Sequence, residues 1–271
     1  AAIDPYILFI SGYTFSLPSR AIDIWNTETE TLQTVEFDSA YLGKFQVMGR
    51  SVFIISARFG LRSFNVDTLT WTDHNIAGIS SLTSNGTHLF ALMSDTPNSI
   101  YMLNPSFNWT RLLTIPAGTS ELAYGNNLLY AIGSRFMYYI HLDSLAQGLY
   151  AYPTVDISTS TLVVDGYDIY SASAGTMTVH NPLLQTSIQY EFEMEDVGGT
   201  VVMHDRVLYI PTSYFAIGVR TFDLRTVFQP VPNLPRVNGP VHFERGIMFW
   251  EERNESRVYT YNVDTTEYRW H

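Results

Sequence analysis

Residues 64–71, FNVDTLTW, return nearly intact as residues 261–268, YNVDTTEY, and a looser copy, IWNTETETL, occupies 24–32. Each close copy has an aromatic residue, then Asn-Val-Asp-Thr, then an aromatic at the eighth place. Apolar and polar residues alternate on either side of a polar centre, the pattern of two short strands joined by a tight turn. Weaker versions of the same hairpin are YMLNPSFNW at 101–109, IHLDSLAQG at 140–148, TFDLRTVFQ at 221–229 and, most degraded, TVHNPLLQTSIQY at 178–190. Repetition on this scale decides the fold before any single motif does.

Working outward, every copy is preceded by a strongly apolar run: ILFIS at 7–11, VFIIS at 52–56, LFALM at 89–93, LLYAI at 128–132, DIYSA at 168–172, VLYIP at 207–211 and IMFWE at 247–251. Short runs of this kind, rich in β-branched and aromatic residues, read as buried strands. Before each lies a turn signal: Asp4-Pro5, Gly49-Arg50, Asn85-Gly86, Gly125-Asn126, Asp165-Gly166, Asp205-Arg206 and Arg245-Gly246. Measured from Pro5, Gly49, Gly86, Gly125, Gly166, Arg206 and Gly246, successive spacings are 44, 37, 39, 41, 40 and 40 residues. No stretch longer than a turn or two has helical period with caps. A near-constant period with four short strands per unit predicts an all-β fold, a seven-bladed β-propeller of four-stranded antiparallel blades. One domain would span 1–271, with blades at 1–40, 41–78, 79–118, 119–157, 158–197, 198–237 and 238–271. Only Ala1, Ala2 and Ile3 precede the first turn, so either the innermost strand of the first blade is a stub or residues upstream complete it; in an assembly, a neighbouring chain would supply the missing strand.

In spacing, the units resemble kelch repeats, where an aromatic on the third strand is followed about seven places later by a Trp on the fourth. Phe64 to Trp71 and Tyr261 to Tyr268 keep that interval, and Leu103 to Trp109 nearly does. The Gly-Gly doublet usual after the second kelch strand is represented here only by Gly12 and Gly133. The resemblance implies a kelch-like architecture and no particular activity, since propellers serve as enzymes, lectins and docking platforms alike.

Composition sets further bounds. Of 271 residues 46% are hydrophobic and 15% charged, enough to build a core. The formal charge is −11, so a nucleic-acid partner would be bound against net repulsion. Cysteine is absent, which removes disulfides, thiolate nucleophiles and Cys-ligated metals. There is no apolar run of transmembrane length, and the start at Ala1-Ala2 fits a processed secretory chain. Three sequons, at Asn85, Asn108 and Asn254, fall in expected turns and lean the address toward an extracellular glycoprotein.

A ligand is expected on the face formed by the loops between second and third strands. That face would carry arginines beside aromatics, with one acid among them: Arg58, Arg135, Tyr214, Phe215, Trp250, Glu251 and Arg253. The longest of its loops, YTFSLPSR at 13–20, PTSYFAIG at 211–218 and WEERNESR at 250–257, would form one rim in a closed ring. Such residues suit a protein hot spot, a carboxylate or a stacked sugar. His74, His88, His141, His180, His204 and His242 fill unlike slots of the repeat, so no metal and no cofactor is expected. EFEMED at 191–196 alternates as a solvated outer strand. HExxH, GxSxG, Walker-type and GxGxxG patterns are missing. The leading expectation is therefore a non-enzymatic, extracellular module that binds a protein or glycan. One alternative is a lyase or hydrolase on an acidic sugar, with Arg58 and Arg135 holding the carboxylate and Glu251 or a histidine moving a proton. The other is a structural subunit of an extracellular assembly, with its assembly partner at the first blade.

Overall fold

The computed structural model describes residues 2–11, 21–26, 28–29, 31–36, 41–56, 60–94, 98–133, 135–151, 161–173, 176–191, 201–204, 206–211, 219–223, 229–230, 242–244, 247–251, 258–262, 264–265 and 267–270. Among these there is no helix, and the strands form seven four-stranded antiparallel meanders. The chain divides into two compact units, Ala1–Ser158 and Thr159–His271.

The first unit holds four sheets. Their strands are Ala2–Ile3, Tyr6–Ser11, Ala21–Asn26 and Thr31–Glu36; Tyr41–Met48, Ser51–Ser56, Gly60–Asn65 and Thr70–Asp73; Ile79–Ser84, Leu89–Met93, Ser99–Leu103 and Trp109–Thr114; and Thr119–Gly125, Leu128–Gly133, Phe136–His141 and Gln147–Ala151. The second unit holds three: Thr161–Asp165, Asp168–Ser173, Thr176–Asn181 and Thr186–Glu191; Val202–His204, Val207–Pro211, Val219–Asp223 and Gln229–Pro230; and His242–Glu244, Ile247–Glu251, Val258–Asn262 and Glu267–Trp270. The first strand of the first sheet pairs with the second as Ala2↔Ile7 and Ile3↔Tyr6. The outer strand of the fifth sheet is Thr186–Glu191, one hairpin interval after Thr176–Asn181; of the expected solvated strand EFEMED, Glu191 ends this strand and 192–196 lie outside the described residues.

The repeated Asn has a local cause. At the end of the third strand, Asn65 Oδ1 accepts from the backbone N–H of Asp67 and of Thr68, both at 3.0 Å, and from the Thr68 hydroxyl at 3.2 Å. Asn26 and Asn262 hold their turns in the same way, and Asn104 and Asn181 bind N–H groups of theirs. A side-chain acceptor thus satisfies N–H groups that the hairpin ladder cannot reach. The chain then passes through the left-handed region just before the fourth strand, with φ of 54° at Leu69, 58° at Phe107, 54° at Leu145 and 57° at Gln185.

Second strands alternate their side chains between two neighbours, which explains why they are apolar throughout. Val52 and Ile54 pack with Leu8, Ile22 and Ile24 of the first sheet. Phe53 and Ile55 pack with Leu89 and Ala91 of the third, and Phe90 and Leu92 with Leu129 and Ala131 of the fourth. Polar links run beside these layers. Ser84 Oγ donates to the Val47 carbonyl at 2.5 Å, and the Leu122 N–H donates to Ser81 Oγ at 3.0 Å. Arg50 forms a two-pronged pair with Asp67 and also donates to the Asp4 carbonyl at 2.6 Å, joining the turns of the first two sheets. The Asp67 carboxylate raises the Arg50 pKa, and the guanidinium in turn lowers that of Asp67.

Candidate functional site

The expected binding face includes the loop-side end of the fourth sheet. Its second strand closes on Gly133, whose backbone touches the carbonyl of Gly118. A Cβ there would stand 2.8 Å from that oxygen and 2.8 Å from the Phe136 ring, so only glycine fits. The Phe136 ring therefore lies on a shelf of Gly118 and Gly133, braced edge-on by Tyr138 at 5.4 Å between centroids. Arg135 stands directly before this seated ring and is exposed.

Connectors on this side are held by hydrogen bonds. Asn98 Nδ2 donates to the Thr119 carbonyl at 3.0 Å, while the Asn98 carbonyl accepts from the Ile115 N–H at 2.8 Å. Thr119 Oγ1 donates to the Pro116 carbonyl at 3.2 Å. One sheet earlier, the Ser94 N–H and hydroxyl both donate to the Gly78 carbonyl, at 2.8 and 2.9 Å. A loop end tied down in this way loses little freedom on binding.

The arginines of the first unit divide by partner. Arg50 pairs with Asp67, and the buried Arg62 donates from Nε to Asp73 at 2.5 Å while lying 4.9 Å over the Trp71 ring. Arg111 donates to the hydroxyls of Ser99 and Thr114. Arg135 has no ion-pair partner among the described residues, which leaves its planar fork open to a carboxylate.

Trp250 and Glu251 were expected in a loop. They instead end the second strand of the seventh sheet, opposite Tyr259 and Val258, as the apolar run IMFWE at 247–251 implied and the overlapping loop 250–257 did not. Arg58, Tyr214, Phe215 and Arg253 lie outside the described residues, so of the expected ligand-binding residues in the first unit only Arg135 is described. Sequence reasoning missed the Gly118–Gly133 shelf and the Asn98 latch. The only available signal was the small-residue run Ala117-Gly118-Thr119 one blade-edge before Gly133.

Two of the histidines are engaged in packing. His180 is fully buried, with Nε2 at 3.5 Å from the buried Ser171 hydroxyl, and burial pushes its pKa down to about 4. His74 Nε2 lies 2.9 Å from Ser63 Oγ, and its ring stacks against Phe53 and Phe107 at 5.4 and 5.8 Å. Burial lowers its pKa, with Asp73 opposing. Both serines are buried. No group of three His, Asp or Glu residues capable of holding a metal occurs among the described residues. Of the sequons, Asn85 is half-buried and its Oδ1 accepts from the Thr87 N–H, the Thr87 hydroxyl and the His88 N–H. Asn108 is exposed, its turn being held by Asn104 instead, and Asn254 lies outside the described residues.

No protein-family model matches the chain, and no curated protein matches it in sequence. Solved β-propeller-like structures do match it over nearly its full length. BamB from Moraxella catarrhalis is 11% identical over 98% of this chain and 80% of its own, with a TM-score of 0.57. The structure of U3-55K gives 12% identity over 93% and 87%, with a TM-score of 0.64. PorZ, a bacterial surface component of the type-IX secretion system of Porphyromonas gingivalis, gives 14% identity and a TM-score of 0.61 over 93% of this chain but 36% of its own. At such identities the likeness concerns the fold, and the fold it shows is a β-propeller of four-stranded antiparallel sheets.

Proposed function

We propose that this chain is a binding module that holds a protein partner outside the cell, its seven sheets forming one kelch-like propeller over residues 1–271. The observation that carries the reading is Arg135: an exposed, unpaired guanidinium beside an aromatic ring fixed on a glycine shelf. Its natural counterpart is a carboxylate on the partner, held by the planar fork and flanked by apolar contact with the edge of Phe136. The net charge of −11 makes this local cation more selective, since acidic groups are repelled elsewhere. Exposed Asn108 in a held turn supports the extracellular address, as an acceptor that a glycan could occupy without disturbing the sheet.

The test compares wild type with Arg135→Ala as immobilised bait for the extracellular fraction of the source material. A protein retained by wild type and lost with Arg135→Ala supports the reading, provided both chains melt alike. Equal retention by the two baits, or none by either, overturns it.

A further inference from the structure

Two of the three sequons lie within the described residues, and they are built in opposite ways. In Asn85-Gly86-Thr87 the acceptor side chain is at work in the fold. Its Oδ1 accepts from the Thr87 N–H at 3.0 Å, the Thr87 hydroxyl at 3.0 Å and the His88 N–H at 2.7 Å. The turn is also docked on the second sheet, where the Gly49 N–H donates to the Gly86 carbonyl at 3.2 Å and Ser84 Oγ to that of Val47. A sugar on this half-buried carboxamide would have to stand in the seam between two sheets.

In Asn108-Trp109-Thr110 the turn is closed by Asn104 instead. Asn104 Oδ1 accepts from the Asn108 N–H at 3.0 Å, and the Asn104 N–H donates to the Asn108 carbonyl at 3.2 Å. The Asn108 carboxamide and the Thr110 hydroxyl take no part: both residues are exposed, and neither side chain has a hydrogen bond among the described residues. Between them Trp109 packs against the core shared by the second and third sheets. Alternation along the chain thus leaves in solvent the two residues that define the sequon and anchors the one that does not. Just before them stands Phe107, 51% exposed, with one face stacked on His74 at 5.8 Å and an interplanar angle of 18°. The internal repeat supplies the comparison, because Leu69-Thr70 and Leu145-Ala146 hold the places of Phe107-Asn108 in the second and fourth sheets.

From this we infer that Asn108 carries an N-linked glycan whose first sugar lies over the outer face of Phe107, while Asn85 stays bare; the inference rests on the extracellular address proposed above. In the transfer, Asn108 Nδ2 forms a bond to the anomeric carbon of a polyprenyl-diphosphate oligosaccharide. The bond from that carbon to the diphosphate oxygen breaks, and the polyprenyl diphosphate leaves with the electron pair. Nδ2 gives up one proton to a base of the transferase, and nothing is oxidised or reduced. The apolar C–H face of a pyranose suits an aromatic ring already stacked on its other side. The Asn104–Asn108 turn follows a third strand, whereas Arg135 precedes one, so the glycan stands at the opposite end of the strands from the candidate site.

Mass mapping of the peptides that carry Asn85 and Asn108 tests this on two preparations, the protein from its source and the full chain secreted from a eukaryotic host behind a cleavable leader. The expected result in both is added hexose and N-acetylhexosamine mass on Asn108 and none on Asn85. Sugar on Asn85 in either preparation would overturn the inference. Bare Asn108 in both would overturn it without bearing on the address. Asn108 modified after directed secretion but bare in the source material would bring down the address, and the inference with it. Enzymatic removal of the glycan should lower the melting temperature of wild type and leave that of Phe107→Ala unchanged. Equal shifts in the two would refute the stack on Phe107.

Discussion

The carbonyl oxygen of Ile76 occupies the place where a side chain on Gly60 would begin: a Cβ on that glycine would lie 1.9 Å from it. The contact is drawn tight by two hydrogen bonds, from the Leu61 N–H to Ile76 and from the His74 N–H to Leu61, both 3.0 Å. It fixes the connector between the second and third sheets against the start of a central strand, on the side where the proposed site lies.

Gly60→Ala should therefore be far more damaging than Gly49→Ala. Both positions have positive φ, 71° and 59°, which costs an alanine about 1 kcal/mol. Gly49 has open space around it, whereas Gly60 must also displace backbone. Urea unfolding is expected to show a loss of about 1 kcal/mol for Gly49→Ala and at least twice that for Gly60→Ala. Equal losses would mean that the connector does not lie where the structure puts it.

Acid should unfold the second unit through His180. Its pKa falls from the ordinary 6.5 to about 4 because burial penalises the imidazolium. A depressed folded-state value means that stability is full above pH 6.5 and is lost as pH falls toward 4, because only the unfolded chain takes up the proton readily. The loss amounts to about 3 kcal/mol once both forms have titrated. His74 acts in the same direction. Melting temperatures between pH 7 and 4 should fall less steeply for His180→Gln than for wild type, and parallel curves would count against this origin.

Phe53→Ala should cost about 3–5 kcal/mol. The ring is fully buried between the second and third sheets and ends a stack that continues through His74 to the exposed Phe107. Calorimetry should show a clear drop in melting temperature, and an unchanged one would contradict the core assignment.

Legibility differed sharply between the scaffold and its site. Asn65 and Asn262 were visible as a repeat because each cap needs one side chain at one offset, a local requirement that sequence records directly. The second strands were equally plain, since residues such as Val52 and Phe53 are packed from opposite sides and must both be apolar. Turn residues were legible to within a place: Asn126 and Asn127 carry the positive φ, one step beyond the expected Gly125-Asn126, because register is set by the whole ladder.

The binding residues were a different matter. Nothing near Arg135 in the chain tells that it lacks a carboxylate while Arg62, equally ordinary in sequence, is buried against Asp73 and Trp71. Nor could spacing show that Phe136 rests on Gly118, eighteen residues earlier. By itself the sequence determined the period, the strands, the capped turns and hence an all-β propeller, since each depends on contacts within a few residues or on alternation along one strand. Tertiary structure alone decided which arginine stands open and which glycine is irreplaceable, because those properties arise where segments distant in the chain come into contact.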